Sequence, residues 1–260
     1  MHSLKTAAQT GCFRQTFRKA LHTAAQIGCT GVEIDAREEL RPSDLSDTGL
    51  RQLRKLLDDL NLRVAAVAFP TRGGFGEPAR QQQRVDAALA AMQMASRLGC
   101  RAMLVNVQDA DRAEKGGPLH AALELLADRG LHYGVQLVGR GGAVPAAALG
   151  TLAESLPEHG LLFDIDPGEI VSSGGSVAEQ LGGLGARVGS VHATDAYRDL
   201  GAGAGVEVQL GRGAVDYAEV LGLLEEFDYR GWLTVARRGG DQPAQDMAAA
   251  VKFLEAVARG

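Results

Sequence analysis

The sequence predicts a single (β/α)8 barrel. Three observations lead to this fold class: a chain of 260 residues, eight short apolar or β-branched runs, and longer segments of helical spacing between them. Such alternation implies parallel strands joined by right-handed crossovers, and about 250 residues is the usual length of a closed barrel of this type. No long polar linker divides the chain, so we expect one domain over residues 1–260.

The eight predicted strands follow one another at regular intervals along the chain. They cover residues 4–9, 31–36, 63–69, 102–108, 133–138, 161–166, 188–193 and 232–235. An open doubly wound sheet is the alternative, but it usually has a glycine-rich phosphate-binding turn after its first strand. The turn at residues 10–13 has no such pattern.

The predicted helices are recognised by their apolar spacing and by their ends. Leu50, Leu53, Leu57 and Leu60 recur every three or four residues, which predicts one apolar stripe over residues 46–60. Glycines that precede strands predict helix ends in the left-handed conformation, at positions 28, 99, 130 and 231. Asp216, followed by Glu219, predicts a capped helix start.

Composition excludes several classes of protein. A formal net charge of -5 and the lack of a basic stripe argue against nucleic acid as a partner. No apolar run approaches the ~18 residues of a membrane span, and the first residues contain no signal-peptide core. We therefore expect a cytoplasmic protein without a membrane partner. The three cysteines are far apart, which argues against a thiolate zinc site.

The chemistry of such a barrel lies at the carboxyl ends of its strands. None of the five lysines lies there, which disfavours Schiff-base chemistry, and no G-x-S-x-G motif indicates a serine hydrolase. Asp166 and His192 end adjacent predicted strands, and a carboxylate with an imidazole suits Mn, Mg, Co or Zn. Each also has a structural interpretation, as a turn former before Pro167 and as a hydrogen-bonded core histidine.

Four segments carry a family resemblance. They are residues 28–34 (GCTGVEI), 163–168 (FDIDPG), 191–193 (VHA), and 210–213 (LGRG) with Asp216. In this order, and across nearly the whole chain, they resemble the xylose isomerase-like TIM barrels, the sugar phosphate isomerase/epimerase family. The resemblance implies proton movement next to a carbonyl, with a divalent ion polarising the substrate oxygens and two glutamates transferring the proton.

The resemblance also implies a ligand set for the ion, which this sequence matches only in part. The family uses a Glu ending strand five, an Asp ending strand six, a His on strand seven and a Glu ending strand eight. Asp166 and His192 match, whereas Gly139 and Ala236 stand where the glutamates are expected. The resemblance therefore implies a remnant metal site. We expect no tightly bound cofactor, although the family would use Mn, Mg, Co or Zn.

Further residues near the strand ends are candidates for the site. His192, Glu33 and Glu169 are the candidate proton-transfer groups. Arg140 and Arg237 flank the vacated positions, where they would favour an anion or simply point into solvent. Arg212 lies in the glycine-rich segment 201–213, which is either a phosphate loop or a plain loop. Phe75, in the segment 69–75, would stack on a sugar or contact a partner, and Asn106 ends strand four.

Three functional hypotheses follow. The first is a family member with a degraded metal site, a pseudoenzyme that binds a sugar or a sugar-derived anion with weak or no isomerase activity. The second is an active sugar isomerase or epimerase in which a substitute carboxylate helps to hold the metal. The third is a metal-free lyase or dehydratase that uses His192 as its base. Members of the family are often dimers or tetramers, so the resemblance implies a homo-oligomer.

Overall fold

The computed structural model describes residues 4–71, 74–157, 160–199 and 204–260. Eight parallel strands close into a barrel in the order β1-β10-β7-β6-β5-β4-β3-β2, with β2 returning to β1. The barrel strands are β1 (Thr6–Gln9), β2 (Gly31–Asp35), β3 (Arg63–Phe69), β4 (Ala102–Asn106), β5 (Gln136–Arg140), β6 (Leu162–Ile165), β7 (Val188–Ala193) and β10 (Leu233–Val235). The predicted fold class is confirmed.

Helices alternate with the strands and surround the barrel. In chain order they are α1 (Phe17–Gln26), α2 (Asp47–Asp59), α3 (Gln81–Arg97), α4 (Pro118–Tyr133), α5 (Ala146–Glu154), α6 (Pro167–Ser172), α7 (Val177–Leu184), α8 (Tyr217–Glu226) and α9 (Pro243–Val257). The predicted stripe on α2 is buried at Leu50, Leu53 and Leu57. The predicted helix start at Asp216 is confirmed, because its side chain accepts the amides of Ala218 and Glu219.

An antiparallel hairpin follows the seventh barrel strand, where the sequence suggested a long loop. It consists of β8 (Asp195–Asp199) and β9 (Ala204–Val208). Residues 201–203 of the glycine-rich segment lie outside the described residues. The expectation of an irregular segment from 201 to 213 is therefore wrong for residues 204–208, which form a strand.

Two predicted helix ends are displaced, and one of the displacements matters for the site. Gly231 has no left-handed backbone: α8 ends at Glu226, and Asp228, with φ +55°, takes that conformation instead. Gly28 and Gly99 have φ of +93° and +73° and end helices as expected. Gly130 does not, because it lies inside α4, close to the carbonyl of Val135, and Gly134 with φ +66° ends that helix instead. The fifth strand consequently runs from Gln136 to Arg140, and its carboxyl end lies two residues later than predicted.

The core divides between two sides of the sheet. Most buried apolar residues lie between the strands and the helices, whereas a small cluster of Ala66, Ala68, Leu104 and Val138 is separate from them. Side chains alternate between the two faces of a strand, so this small cluster marks the barrel lumen. Small residues here leave the lumen free for the larger polar groups above them.

The three cysteines are buried, with free thiols. Burial raises the pKa of Cys12 and Cys100 to about 11 and that of Cys29 to about 12. All three are therefore protonated and weakly nucleophilic in the folded chain. Among the described residues, no helix combines the length and apolar character needed to cross a membrane.

Candidate active site at the carboxyl end of the barrel

Four charged side chains meet inside the barrel near the carboxyl ends of its strands. Glu33 extends from β2, Arg140 from β5, Asp164 from β6 and His192 from β7, and we refer to these four residues as the central cluster. Glu33, Asp164 and His192 are almost completely buried, while the Arg140 side chain is 17% exposed. Alternation from Val138 in the lumen cluster explains why Arg140 points inward.

His192 lies between the two carboxylates of the cluster. Its Nδ1 lies 2.8 Å from Asp164 Oδ1, and its Nε2 lies 2.8 Å from Glu33 Oε2. The contact with Asp164 is a hydrogen bond, whereas Glu33 Oε2 is close to Nε2 but has no partner with hydrogen-bond geometry. We therefore treat the Glu33–His192 contact as an ion pair at short range.

Arg140 joins the same three residues. Its Nε donates to Asp164 Oδ2 at 3.1 Å, and its Nη2 donates to Glu33 Oε1 at 3.4 Å and lies 2.9 Å from His192 Nε2. Gln9 holds Glu33 from the other side through a hydrogen bond of 2.8 Å between its Nε2 and Glu33 Oε1. The guanidinium group thus lies at the point where the two carboxylates and the imidazole converge.

The pKa values of the cluster follow from competition between burial and these neighbours. Burial alone raises the pKa of Glu33, but His192 and Arg140 outweigh it and lower that pKa from 4.5 to about 2. The pKa of Asp164 is lowered for the same reasons. Burial lowers the pKa of His192, but Asp164 and Glu33 outweigh it and raise that pKa to about 9, against the opposing charge of Arg140. Two anions and two cations therefore cancel at neutral pH.

Asp166 lies beyond the carboxyl end of β6, and both of its carboxylate oxygens accept hydrogen bonds. Its Oδ1 caps α6 by accepting the amide of Glu169 at 3.0 Å, and it also accepts the hydroxyl of Thr194. Its Oδ2 accepts Arg238 Nη2 at 2.7 Å. The structure therefore pairs His192 with Asp164, two residues before Asp166 in the chain.

Glu169 is the one predicted proton-transfer residue whose carboxyl group has no polar partner in the described part of the chain. It is half-buried at the mouth, next to Gly142, where any added Cβ would meet its Oε1 at 2.4 Å. Burial raises the pKa of Glu169, and the charge of Asp166 raises it further. This carboxyl group is the candidate in the site that is most free to meet a ligand.

Gly139 and Ala236, the positions expected for the two missing glutamates, both contact the main core. Gly139 faces the helix layer, because an added Cβ would meet Val107 and Phe163 of the main core. The inward position at the end of β5 belongs to Arg140, so the sequence placed the vacancy one residue too early. Ala236 follows β10 directly and is buried. Neither strand end supplies a carboxylate.

The remaining predicted residues are spread around the mouth. Asn106 is in register with Arg140 on the neighbouring strand, and its Nδ2 donates to the carbonyl of Thr71 at 3.3 Å. Arg237 is turned away from the cluster: its Nε donates to Asp246 at 2.9 Å, and its Nη1 lies 3.6 Å from Glu207. Arg212 is exposed in the turn before α8.

Phe75 does not lie where the stacking prediction required it. Its side chain is fully buried in the main core rather than exposed over the mouth, so the prediction of an exposed aromatic side chain is wrong. The Nε2 of Gln81 donates to the carbonyl of Phe75 at 2.7 Å and fixes that turn. Arg72 and Gly73, in the same predicted covering segment, lie outside the described residues.

Asp195 is a structural residue that the sequence analysis did not single out. Its buried carboxylate accepts four backbone amides, those of Ala196, Gly211, Gly213 and Val215, at 2.8–3.1 Å. At Gly213 an added Cβ would come within 2.1 Å of Asp195 Oδ1, which explains the glycine. The amides of Gly211, Gly213 and Val215 therefore bind Asp195.

The comparison with protein families agrees with this architecture. The family model described as xylose isomerase-like TIM barrel matches residues 21–257. The chain belongs to the xylose isomerase-like TIM barrel family. No curated protein matches the sequence.

Solved structures with the same fold include proteins of known activity. A xylose isomerase domain protein from Planctomyces limnophilus has a TM-score of 0.81 and 23% identity, over 92% of both chains. A xylose isomerase-like TIM barrel protein from Mycobacterium smegmatis, in complex with magnesium, has a TM-score of 0.79 and 15% identity, over 99% of this chain and 98% of that one. D-Psicose 3-epimerase from Clostridium cellulolyticum H10, with D-tagatose, has a TM-score of 0.78 and 12% identity, over 98% and 99%. At these identities the likeness shows the fold.

Two residues of the central cluster could have been weighted more heavily from sequence. The alternation of residues 163–166 as Phe, Asp, Ile, Asp places both acids on one face of the strand, and the apolar pair on the other. Asp164 is the deeper of the two and therefore the one within reach of His192. Arg140 needed the correct end of β5, which depended on where α4 ends.

Proposed function

We propose that this barrel is a sugar isomerase/epimerase-family protein whose divalent-metal centre has been replaced by the central cluster. It binds a sugar or a sugar-derived anion at its mouth and has weak or no isomerase activity. The observation that carries the proposal is the position of Arg140, within 3.4 Å of Glu33, Asp164 and His192. The guanidinium group of Arg140 carries a permanent positive charge, which offsets the negative charges of Glu33 and Asp164 as a metal ion would.

The donor atoms do not fit a divalent ion. A metal ligand needs a lone pair directed at the ion, but His192 Nδ1 is bonded to Asp164 and its Nε2 faces Arg140 and Glu33. Both oxygens of Asp166 are also engaged, with Thr194, Arg238 and an amide. Within the described ranges, no group of three or more His, Cys, Asp or Glu is arranged to hold a metal.

The charge balance supports the same conclusion. Glu33 and Asp164 are matched by Arg140 and by the protonated His192, and Asp166 is matched by Arg238. A divalent ion would add two uncompensated charges to a buried site, unless Arg140 left it first. The cost of both steps makes metal binding in this arrangement unfavourable.

The expected activity is correspondingly low. A bound ion contributes several kcal/mol to transition-state stabilisation, and positioned acid–base groups contribute roughly 10²–10⁴-fold. His192, the base of the metal-free lyase hypothesis, is fully buried with both nitrogens engaged, which disfavours that hypothesis. Residual chemistry would rest on Glu169, a half-buried carboxyl group at the mouth whose pKa is raised by burial and by the charge of Asp166.

This role of Glu169 is a second candidate function: metal-independent proton transfer on a bound sugar. The unpartnered, half-buried carboxyl group favours it. Turnover that survives chelation and is lost in Glu169→Gln would support this second function over a purely binding role. Glu179→Gln, an exposed acid on α7, is the matched control.

Metal analysis tests the main proposal. Protein purified without chelator should contain less than one tenth of an equivalent of Mn, Co or Zn. Adding millimolar Mn²⁺ or Mg²⁺ should not raise the unfolding temperature. Near-stoichiometric metal that disappears in Asp166→Ala would overturn the replacement of the metal centre.

Ligand binding is tested by protection against heat unfolding with D-fructose, D-tagatose and D-gluconate. D-Tagatose is named with one structural neighbour and D-fructose with another, while gluconate is a sugar-derived anion. At least one of them should raise the unfolding temperature of the wild type. Arg238→Ala, which removes a mouth arginine with a 45% exposed side chain, should reduce that protection. An unchanged temperature with all three compounds contradicts the binding role.

A further inference from the structure

A second charged region lies beside the mouth, between the segment after β2 and the start of α3. It is a cleft of about 800 Å³ whose lining includes four arginines, Arg37, Arg41, Arg80 and Arg84, and we refer to it as the arginine cleft. Glu38 is the only acidic residue in the lining, which leaves a net charge of +3 in a chain of formal charge -5. None of the central-cluster residues lines it.

Three of the four arginines are held by neutral groups. Arg37 Nη1 donates to the carbonyl of Pro70 at 3.0 Å, and Arg41 Nε donates to the carbonyl of Arg37 at 2.8 Å. Arg84 donates to the carbonyls of Ala79 and Glu77. A carbonyl positions a guanidinium group without neutralising it, so the positive charge remains available to a ligand.

Unused donors point to an anion. No ion pair of the described residues involves these four arginines, and the Arg84 Nε is buried with no hydrogen-bond partner. Arg80 makes no side-chain hydrogen bond and has a left-handed backbone at φ +57°, immediately before α3. The helix has no side-chain cap, so its first amides add partial positive charge to the same end of the cleft.

One wall of the cleft is apolar. The Arg37 guanidinium lies 5.6 Å from the centre of the Phe69 ring, and because that ring is buried, Arg37 is the member of the pair that a ligand could contact. Ala36, Ala87 and Ala90 continue this wall. An anion alone would leave that surface uncovered, whereas a molecule with a ring or an apolar body would cover it.

We propose that the arginine cleft binds a small organic phosphate, with the phosphate on Arg41 and Arg80 and the body of the molecule against the wall formed by Arg37, Ala87 and Ala90. The site is separate from the central cluster. It would give the barrel a phosphorylated ligand in addition to the sugar proposed for the mouth.

Calorimetric titration with three phosphomonoesters tests the proposal: phenyl phosphate, AMP and glucose 6-phosphate. At least one should bind the wild type with submillimolar affinity and more tightly than inorganic phosphate. The double substitution Arg41→Ala with Arg80→Ala should weaken that binding at least tenfold. Both side chains are exposed, so the variant is expected to fold.

The matched control is Arg51→Ala with Arg54→Ala. Both residues are exposed on α2 and do not line the cleft. Their substitution removes two positive charges, as the cleft variant does. The affinity of this control variant for the phosphomonoester should equal that of the wild type.

Three results would overturn the proposal. They are no binding of any of the three esters, equal affinity in the Arg41/Arg80 double variant, and equal loss in the α2 control. Inorganic phosphate that binds as tightly as the best ester would overturn the role of the apolar wall. Adenosine that binds as tightly as AMP would overturn the role of the phosphate.

Discussion

The central cluster and the arginine cleft both contain arginine, but the charge of the arginine is neutralised in the cluster and not in the cleft. In the central cluster, Arg140 is mostly buried and forms ion pairs with Glu33 and Asp164, which neutralise its charge. In the cleft, Arg37, Arg41 and Arg84 donate to backbone carbonyls, which do not neutralise their charge. The first arrangement stabilises the fold, while the second is suited to a ligand that is not part of the chain.

The difference predicts a large contrast in stability. Arg140→Met leaves two buried carboxylates with only His192 as a counter-ion, so the free energy of unfolding should fall by about 3–5 kcal/mol. Arg41→Ala, in the cleft, should change it by less than about 0.5 kcal/mol. Urea unfolding of the two variants checks this. Equal effects would show that the two sites do not differ in this way.

The pH dependence of stability isolates His192. Its pKa is raised from 6.5 to about 9, so its stabilisation is complete below about pH 6.5 and is lost as the pH rises towards 9. The shift corresponds to roughly 3 kcal/mol, which His192→Gln should remove from the alkaline limb. Glu33, with its lowered pKa, acts in the opposite range and loses its contribution as the pH falls from about 4.5 towards 2.

Stability should therefore be greatest near pH 5–6 for the wild type, between the two ranges. Urea unfolding at intervals from pH 2 to pH 9 measures both limbs. An alkaline limb as steep in His192→Gln as in the wild type would falsify the assignment of that limb to His192. Arg41→Ala should leave both limbs unchanged.

A buried helix cap with an ion pair, Asp166, can be compared with an exposed helix cap, Asp216. Asp166→Ala removes the cap of α6 together with the contacts to Arg238 and Thr194, and should cost about 2–3 kcal/mol. Asp216→Ala removes an exposed cap of α8 without such contacts and should cost about 1 kcal/mol. Thermal unfolding of both variants measures the difference. Equal losses would mean that Arg238 contributes nothing to the stability of the mouth.

The smallest predicted effect concerns the unneutralised charge of the cleft. Repulsion among its arginines should make Arg41→Ala with Arg80→Ala more stable than the wild type by a few tenths of a kcal/mol at low salt. Added NaCl should abolish this gain, because exposed charges are screened. A loss of stability in the double variant, at any salt concentration, would argue that these arginines support the fold.

The fold could be predicted from the sequence because the pattern within each segment and the alternation of segments indicate the same architecture. Alternating apolar segments gave the strands, and the spacing of Leu50, Leu53 and Leu57 gave α2. The main error, at Gly130, came from treating a glycine as a helix end when it allows close packing against Val135. That error moved the end of β5 and hid the inward direction of Arg140.

The site was accessible only in part. His192, Glu33 and Arg140 were selected from their places at strand ends, and the structure brings them together. Phe75 was misplaced because sequence does not distinguish an aromatic residue that covers a ligand from one that fills the core. The arginine cleft was missed because it joins residues 37–41 to residues 80–84, which only the packing of α3 brings side by side.

The alkylation rates of the buried, protonated cysteines can measure how often different parts of the barrel open. Cys12 lies close to Gln9, the residue that holds Glu33, whereas Cys100 lies at the opposite, amino-terminal end of β4. An alkylating reagent can reach either sulfur only when its surroundings separate. Comparing the two labelling rates would therefore report whether the carboxyl end of the barrel opens independently of its amino-terminal end.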